Sequence, residues 1–139
     1  MPSSTSLATL ERQSAAQGGY GLVISRALAQ LWNDYQFVII DSPPLLGVSM
    51  INALAACEQL IIPVQTEYFA LEGLALLAST IKEIRRRLNP RLGVDGVLMT
   101  MHAPTLLNAQ VAAQLRETFP DFIVDPPVRR NIRLAEAPS

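Results

Sequence analysis

Phe37-Val38-Ile39-Ile40-Asp41-Ser42-Pro43-Pro44 is the stretch on which the reading of this chain turns. Four consecutive apolar residues have the length and β-branched character of a buried strand, and the Pro-Pro pair that follows interrupts any regular ladder or helix. The strand therefore ends on a single carboxylate. In open α/β sheets ligands bind in the crevice outside the carboxyl ends of the strands, which is where a metal-bound nucleotide would meet Asp41. The octapeptide alone leaves a second reading open, a strand that simply runs into a turn-forming Asp-Ser-Pro.

Working outward, the residues on either side alternate between helical and strand periodicity. Leu22, Val23, Ala27, Leu28 and Leu31 follow helical spacing, so the spacing predicts an amphipathic helix over 22–32 leading into the Phe37 strand. A helix is expected over 49–57. The run Leu60-Ile61-Ile62-Pro63-Val64 has strand length, with Pro63 marking its end because proline lacks a ladder donor. Leu71, Leu74, Leu77, Ile81, Ile84 and Leu88 line one side of a long helix over 67–88 that stops at Asn89-Pro90. A strand over 94–101, a helix over 107–119 and a short strand over 122–124 complete the pattern. Strands alternating with helices imply right-handed crossovers and an α/β fold with a mostly parallel sheet covered on both faces by flanking helices. The Ser-, Ala-, Gln- and Gly-rich residues 1–19 read as an irregular N-terminal arm, and residues 20–139 as one domain.

Composition bounds the function. At 139 residues, with 50% hydrophobic and 17% charged residues, the chain has material for one core and not the composition of a disordered segment. A formal net charge of −1 supplies no global attraction to nucleic acid or anionic lipid, so any such binding must be local. Cys57 is the only cysteine, which excludes an internal disulfide. With no signal-peptide pattern in residues 1–6, this favours a reducing, cytoplasmic setting. No apolar run reaches membrane-spanning length. Cys57 follows Ala55-Ala56 in an apolar helix and is expected to be a buried structural thiol.

The segment Tyr35-Gln-Phe-Val-Ile-Ile-Asp-Ser-Pro-Pro-Leu-Leu-Gly47 resembles the Walker B and switch II region of ParA/MinD-type deviant Walker ATPases. Four further blocks resemble that family in order: Asn52-Ala-Leu-Ala-Ala56, Ile62-Pro-Val-Gln-Thr-Glu-Tyr-Phe-Ala-Leu-Glu-Gly73, Gly96-Val-Leu-Met-Thr-Met101, and Arg130-Asn-Ile-Arg-Leu-Ala-Glu-Ala-Pro-Ser139. The resemblance implies an incomplete P-loop NTPase-like, Rossmann-like three-layer fold. It also implies ATP and Mg2+ as cofactors, and a partition or positioning ATPase of the ParA/Soj branch that works as a homodimer with a ParB-like or other cargo adaptor. By position, Asp41 would hold magnesium through water, and Pro43, Pro44 and Gly47 would shape a switch loop answering to the γ-phosphate. Arg130 and Asn131 would lie beside the adenine. A cytoplasmic protein associated with the nucleoid or a cell pole is the matching localisation.

Several departures qualify that resemblance. A Walker A loop needs phosphate-cradling glycines and an adjoining lysine, but the only lysine is Lys82, within the predicted long helix. Gly18-Gly19-Tyr20-Gly21 follows no strand and has no adjoining lysine, and it reads as a helix-entry loop. The expectation is the C-terminal portion of a longer ATPase, or a shortened product unable to hydrolyse ATP by itself. The alternative is a catalytically inert dimerisation and binding module derived from the same fold. DNA binding is weakened because the Asp-x-Arg-Thr stretch common in ParA proteins reads His102-Ala103-Pro104-Thr105. Arg85, Arg86 and Arg87 fan around their helix by about 100° per residue and so read as a solvated helix end. Arg129 stands where the family usually has proline, and His102 reads as a loop residue.

Overall fold

In the computed structural model of the chain, residues 22–29, 31, 34–43 and 47–133 are described. The element order is α1 (Val23–Leu28), α2 (Val48–Ala56), β1 (Gln59–Gln65), α3 (Ala70–Arg87), β2 (Gly93–Thr100), α4 (Leu106–Thr118) and β3 (Ile123–Val124). The predicted N-terminal arm, the glycine run at 18–21 and Pro44 lie outside the described residues. Two structural units partition the chain: residues 1–58 with 81–92, and residues 59–80 with 93–139.

The second unit holds the sheet. Its three strands are parallel in the order β1-β2-β3, with Ile62 opposite Val97 and Val97 opposite Ile123. Buried side chains of β2 (Val97, Met99), β1 (Ile62, Val64) and α4 (Val111, Ala112, Leu115) make up most of its core. Gly96 is required by close approach, because a Cβ there would collide with the Val124 side chain and crowd the Phe122 carbonyl. That carbonyl accepts from the Val97 N–H at 2.6 Å. Pro63 does not end β1, which runs on to Gln65. Among the described residues β1 lies at the edge of the sheet, where a proline's missing donor is tolerated.

Burial along β1 alternates strictly from Ile61 onward, with Ile62 and Val64 buried and Ile61 58% exposed. Among the described residues the sheet is covered along most of β2, while alternate residues of β1 are exposed. In the first unit, Ala53 and Leu54 of α2 are buried, as are Ile81, Ile84 and Leu92. The buried Asn52, 5% exposed, accepts from the Val23 N–H at 3.1 Å and donates to the Val48 carbonyl at 2.9 Å, which ties α1 to α2. Asn89 donates to the Leu54 and Cys57 carbonyls at 3.0 and 2.6 Å, capping the C-terminus of α2.

The principal correction concerns the opening stretch. Residues 37–40 form no strand in this structure, and Phe37 and Ile39 are 85% and 94% exposed. A β-branched run has a preference for extended backbone, but a strand exists only when a neighbour supplies the hydrogen bonds and the covering face. Among the described residues no strand pairs with it. The helix expected over 22–32 is likewise reduced to α1, which buries none of its residues. Short helices take most of their stability from packing, so little holds this one beyond a single turn and a half.

Candidate functional site

Asp41 follows the exposed 37–40 segment and is itself exposed, as are Ser42 and Pro43. No hydrogen bond or ion pair to its carboxylate is recorded among the described residues. Gly47 is the N-cap of α2, with its carbonyl accepting from the Ile51 N–H at 3.1 Å. Its φ of −129° and ψ of −178° are ordinary extended values, so this position does not require glycine for its backbone. Asp41, Pro43 and Gly47 thus lie on one short connection that enters α2. No cluster of three or more His, Cys, Asp or Glu side chains that could enclose a metal occurs among the described residues. One free carboxylate suits Mg2+ in particular, since that ion keeps several of its waters and takes one or two carboxylates together with phosphate oxygens.

Arg130 and Asn131 belong to the other unit. Both are exposed, and their backbone is fixed from the C-terminal end of β2. The Arg130 N–H donates to the His102 carbonyl at 3.1 Å, the His102 N–H donates to the Val128 carbonyl at 3.1 Å, and the Val128 N–H donates to the Met99 carbonyl at 2.8 Å. Asn131 accepts the Arg133 N–H at its side-chain oxygen at 2.9 Å, a local turn, and the Arg130 guanidinium has no ion pair among the described residues.

Sequence reasoning treated His102 as a loop residue and did not single out Asn108 or Thr66. The structure joins all three. Asn108 donates from Nδ2 to the Thr66 carbonyl at 2.8 Å and accepts at Oδ1 from the Ala103 N–H at 2.7 Å, while Thr66 Oγ1 lies 3.4 Å from His102 Nδ1. The legible signal was Thr105, an N-cap residue three positions before Asn108, whose hydroxyl accepts the Asn108 N–H at 3.2 Å and so fixes where α4 begins.

The arginine run behaves as a helix end. Arg86 and Arg87 both close on the Glu83 carboxylate, at 3.0 and 2.9 Å, and the hydrogen bond from Arg86 holds that carboxyl below its ordinary value. Two of the three cations are therefore engaged in exposed intrahelical pairs. Lys82 is an exposed residue within α3. Cys57 is the C-cap of α2 and is half-buried rather than buried. Desolvation pushes its thiol up, partly offset by a backbone hydrogen bond. This is the opposite of what a reactive thiolate requires.

Residues 1–94 match the AAA domain family. The chain is 51% identical over 106 residues to the chromosome-partitioning ATPase Soj of Thermus thermophilus, covering 76% of this chain and 43% of that protein. This chain belongs to the ParA/Soj/MinD family of P-loop ATPases. The sporulation initiation inhibitor protein Soj of Bacillus subtilis shares 44% identity over 117 residues, covering 84% of this chain and 46% of that protein. Among solved structures, cobyrinic acid a,c-diamide synthase from Mycobacterium smegmatis with a bound ATP analogue and magnesium superposes with a TM-score of 0.83 and 32% identity. The match covers 94% of this chain and 54% of that one. The α/β fold, a parallel sheet with flanking helices, is thus the P-loop NTPase, Rossmann-like architecture of these relatives. The chain spans less than half the length of the curated relatives it matches. No helix among the described residues is long and apolar enough to cross a membrane.

Proposed function

We propose that these residues supply the magnesium-positioning and base-side parts of a ParA-type partition or positioning ATPase. The observation that carries this reading is the 51% identity to a chromosome-partitioning ATPase over 76% of the chain. The exposed carboxylate of Asp41, unpaired among the described residues, supports it. In this reading Asp41 would hold a hydrated Mg2+, which when bound would supply positive charge to offset the charge developing on the phosphates. Pro43 and Pro44 restrict the connection into α2 and Gly47 caps that helix, so that a shift of Asp41 is transmitted to it. Arg130 and Asn131 flank the adenine, presented by the backbone ladder that begins at Met99. Dimerisation around nucleotide and coupling to a ParB-like or other adaptor in the cytoplasm complete the proposal. The pairing of Arg86 and Arg87 with Glu83 argues against the arginine run as a DNA-binding surface.

A second reading, an inert dimerisation and binding module, is favoured by one observation: the sole lysine is exposed within α3, inside a helix rather than in a phosphate-cradling loop. The test is magnesium-dependent ATP turnover, measured on the 139 residues and on any longer natural product that contains them. Turnover by a longer product that is lost on Asp41→Ala establishes the ATPase reading, and its absence there leaves the inert module. Turnover by the 139 residues alone would show that the phosphate-binding chemistry had been misread.

A further inference from the structure

Thr66 is the most enclosed polar side chain among the described residues, at 1% exposure, and it stands directly after the last residue of β1. Its carbonyl faces the first turn of α4 and its hydroxyl faces the β2–α4 loop. Asn108 takes the carbonyl, and the same amide group accepts the Ala103 N–H, so one side chain bridges the end of β1 to the β2–α4 loop. The two partners are of opposite kind, an acceptor and a donor, which fixes the orientation of the amide. His102, next to Ala103, meets the Thr66 hydroxyl with its ring and the Val128–Arg130 segment with both of its backbone groups. Met101, with a φ of 51°, makes the left-handed step between β2 and His102. Every connection in this chain of contacts lies within the second unit.

We propose that Thr66, His102 and Asn108 act as a positioning clamp: they set where the 128–131 segment lies, and through it the preference for adenine over guanine. The preference rests on the base-side reading of Arg130 and Asn131 given above, whereas the clamp does not. Adenine and guanine differ in the donor and acceptor groups on their edges, so discrimination depends on the exact placement of the polar groups that meet them. His102 is the only described residue that both accepts from and donates to the 128–130 backbone. A shift of His102 therefore displaces the segment from the Val128 carbonyl onward, while the Val128 N–H stays on the Met99 carbonyl. Asn108 holds Ala103, and the Thr66 hydroxyl holds the ring, so the clamp fixes His102 from both its neighbour and its own side chain.

Amide exchange and nucleoside titration, both followed by NMR on the 139-residue chain, test this. Asn108→Ala removes the bridge, Asn108→Asp keeps the acceptor for Ala103 but loses the donor to Thr66, and Thr66→Val removes the hydroxyl at constant shape. The His102 and Arg130 amides are expected to exchange about tenfold faster in Asn108→Ala, the worth of roughly one hydrogen bond, at least as fast in Asn108→Asp, whose carboxylate faces the Thr66 carbonyl, and less so in Thr66→Val. The Ile62 and Met99 amides should stay unchanged as a control for global stability. If either Asn108 variant fails to fold, Thr66→Val carries the comparison. Unchanged exchange at His102 and Arg130 overturns the clamp. In the unaltered chain, millimolar adenosine should shift the Arg130 and Asn131 amides more than guanosine does, and the variants should lose that difference. A difference that persists in variants with faster exchange overturns the selectivity role. No response to either nucleoside in the unaltered chain overturns the base-side reading instead, with the exchange data still deciding the clamp.

Discussion

Replacing Asn89 with alanine should destabilise the chain by about 2–3 kcal/mol. Two hydrogen bonds are lost, each with a net worth of about 1 kcal/mol, and the carbonyls they served are left at the end of α2. The Leu54 carbonyl belongs to a buried residue and accepts from Asn89 at 3.0 Å, and the Cys57 carbonyl accepts at 2.6 Å. The Cys57 thiol also approaches the Leu54 carbonyl, but at 3.8 Å a sulfur donor replaces little of what is lost. The third contact, from the Arg91 N–H to Asn89 Oδ1 at 3.3 Å, is exposed and long, and water takes its place at small cost. Asn89→Asp should be at least as damaging, because it removes the donor and places an anion against two carbonyl oxygens. Urea unfolding followed by far-UV circular dichroism provides the measurement, read as a change in midpoint at constant slope. A loss under about 0.5 kcal/mol for Asn89→Ala, the range of surface substitutions, would show that this side chain does not cap α2.

Asp41→Ala should change stability by less than about 0.5 kcal/mol, because the carboxylate is exposed and no described residue pairs with it, while abolishing magnesium-dependent turnover in any product that has it. Denaturation and ATPase assays on the same preparation separate the two effects, and retained turnover would remove Asp41 from the metal site. Gly96→Ala should cost about 1–3 kcal/mol, because the added methyl group meets Val124 across the β2–β3 pair. Thermal unfolding that matches the unaltered chain would contradict that packing. For Cys57, burial raises the folded-state thiol above its unfolded value of about 9.0, so its contribution to stability is complete below that pH. It falls as pH rises toward the folded value. Cys57→Ala should flatten this alkaline decline in urea midpoints collected from pH 8 to pH 10, and an identical pH profile in the variant would assign the decline elsewhere.

The helices and strands on the C-terminal side of Cys57 were legible because each carries its own periodicity. Leu74, Ile81 and Ile84 are buried on α3 at helical spacing, and Ile62 and Val64 on β1 at a spacing of two. Their boundaries moved by at most three residues, and β1 outlasted Pro63, since an edge strand does not need every donor. The candidate site was legible only as a set of residues. Asp41, Gly47, Arg130 and Asn131 could be named from local motifs, but Asn108 and Thr66 could not. Their significance lies in hydrogen bonds between residues 42 positions apart, which leave no periodic trace.

By itself the sequence determined an α/β pattern, a resemblance to ParA-type ATPases, and the place of Asp41 between an apolar run and Pro43. The α/β pattern follows from short-range chemistry, side-chain volume, β-branching and proline geometry, whereas the ATPase relation rests on the ordered motifs. Only the tertiary structure decided that the Phe37–Ile40 run is not a strand. Its propensity is intact, but among the described residues no neighbouring strand satisfies its backbone or covers Phe37 and Ile39. Tertiary structure likewise decided that His102 is a joint rather than a bystander. A residue's place in a hydrogen-bond network is set by what folds against it, and that information is distributed over the whole unit.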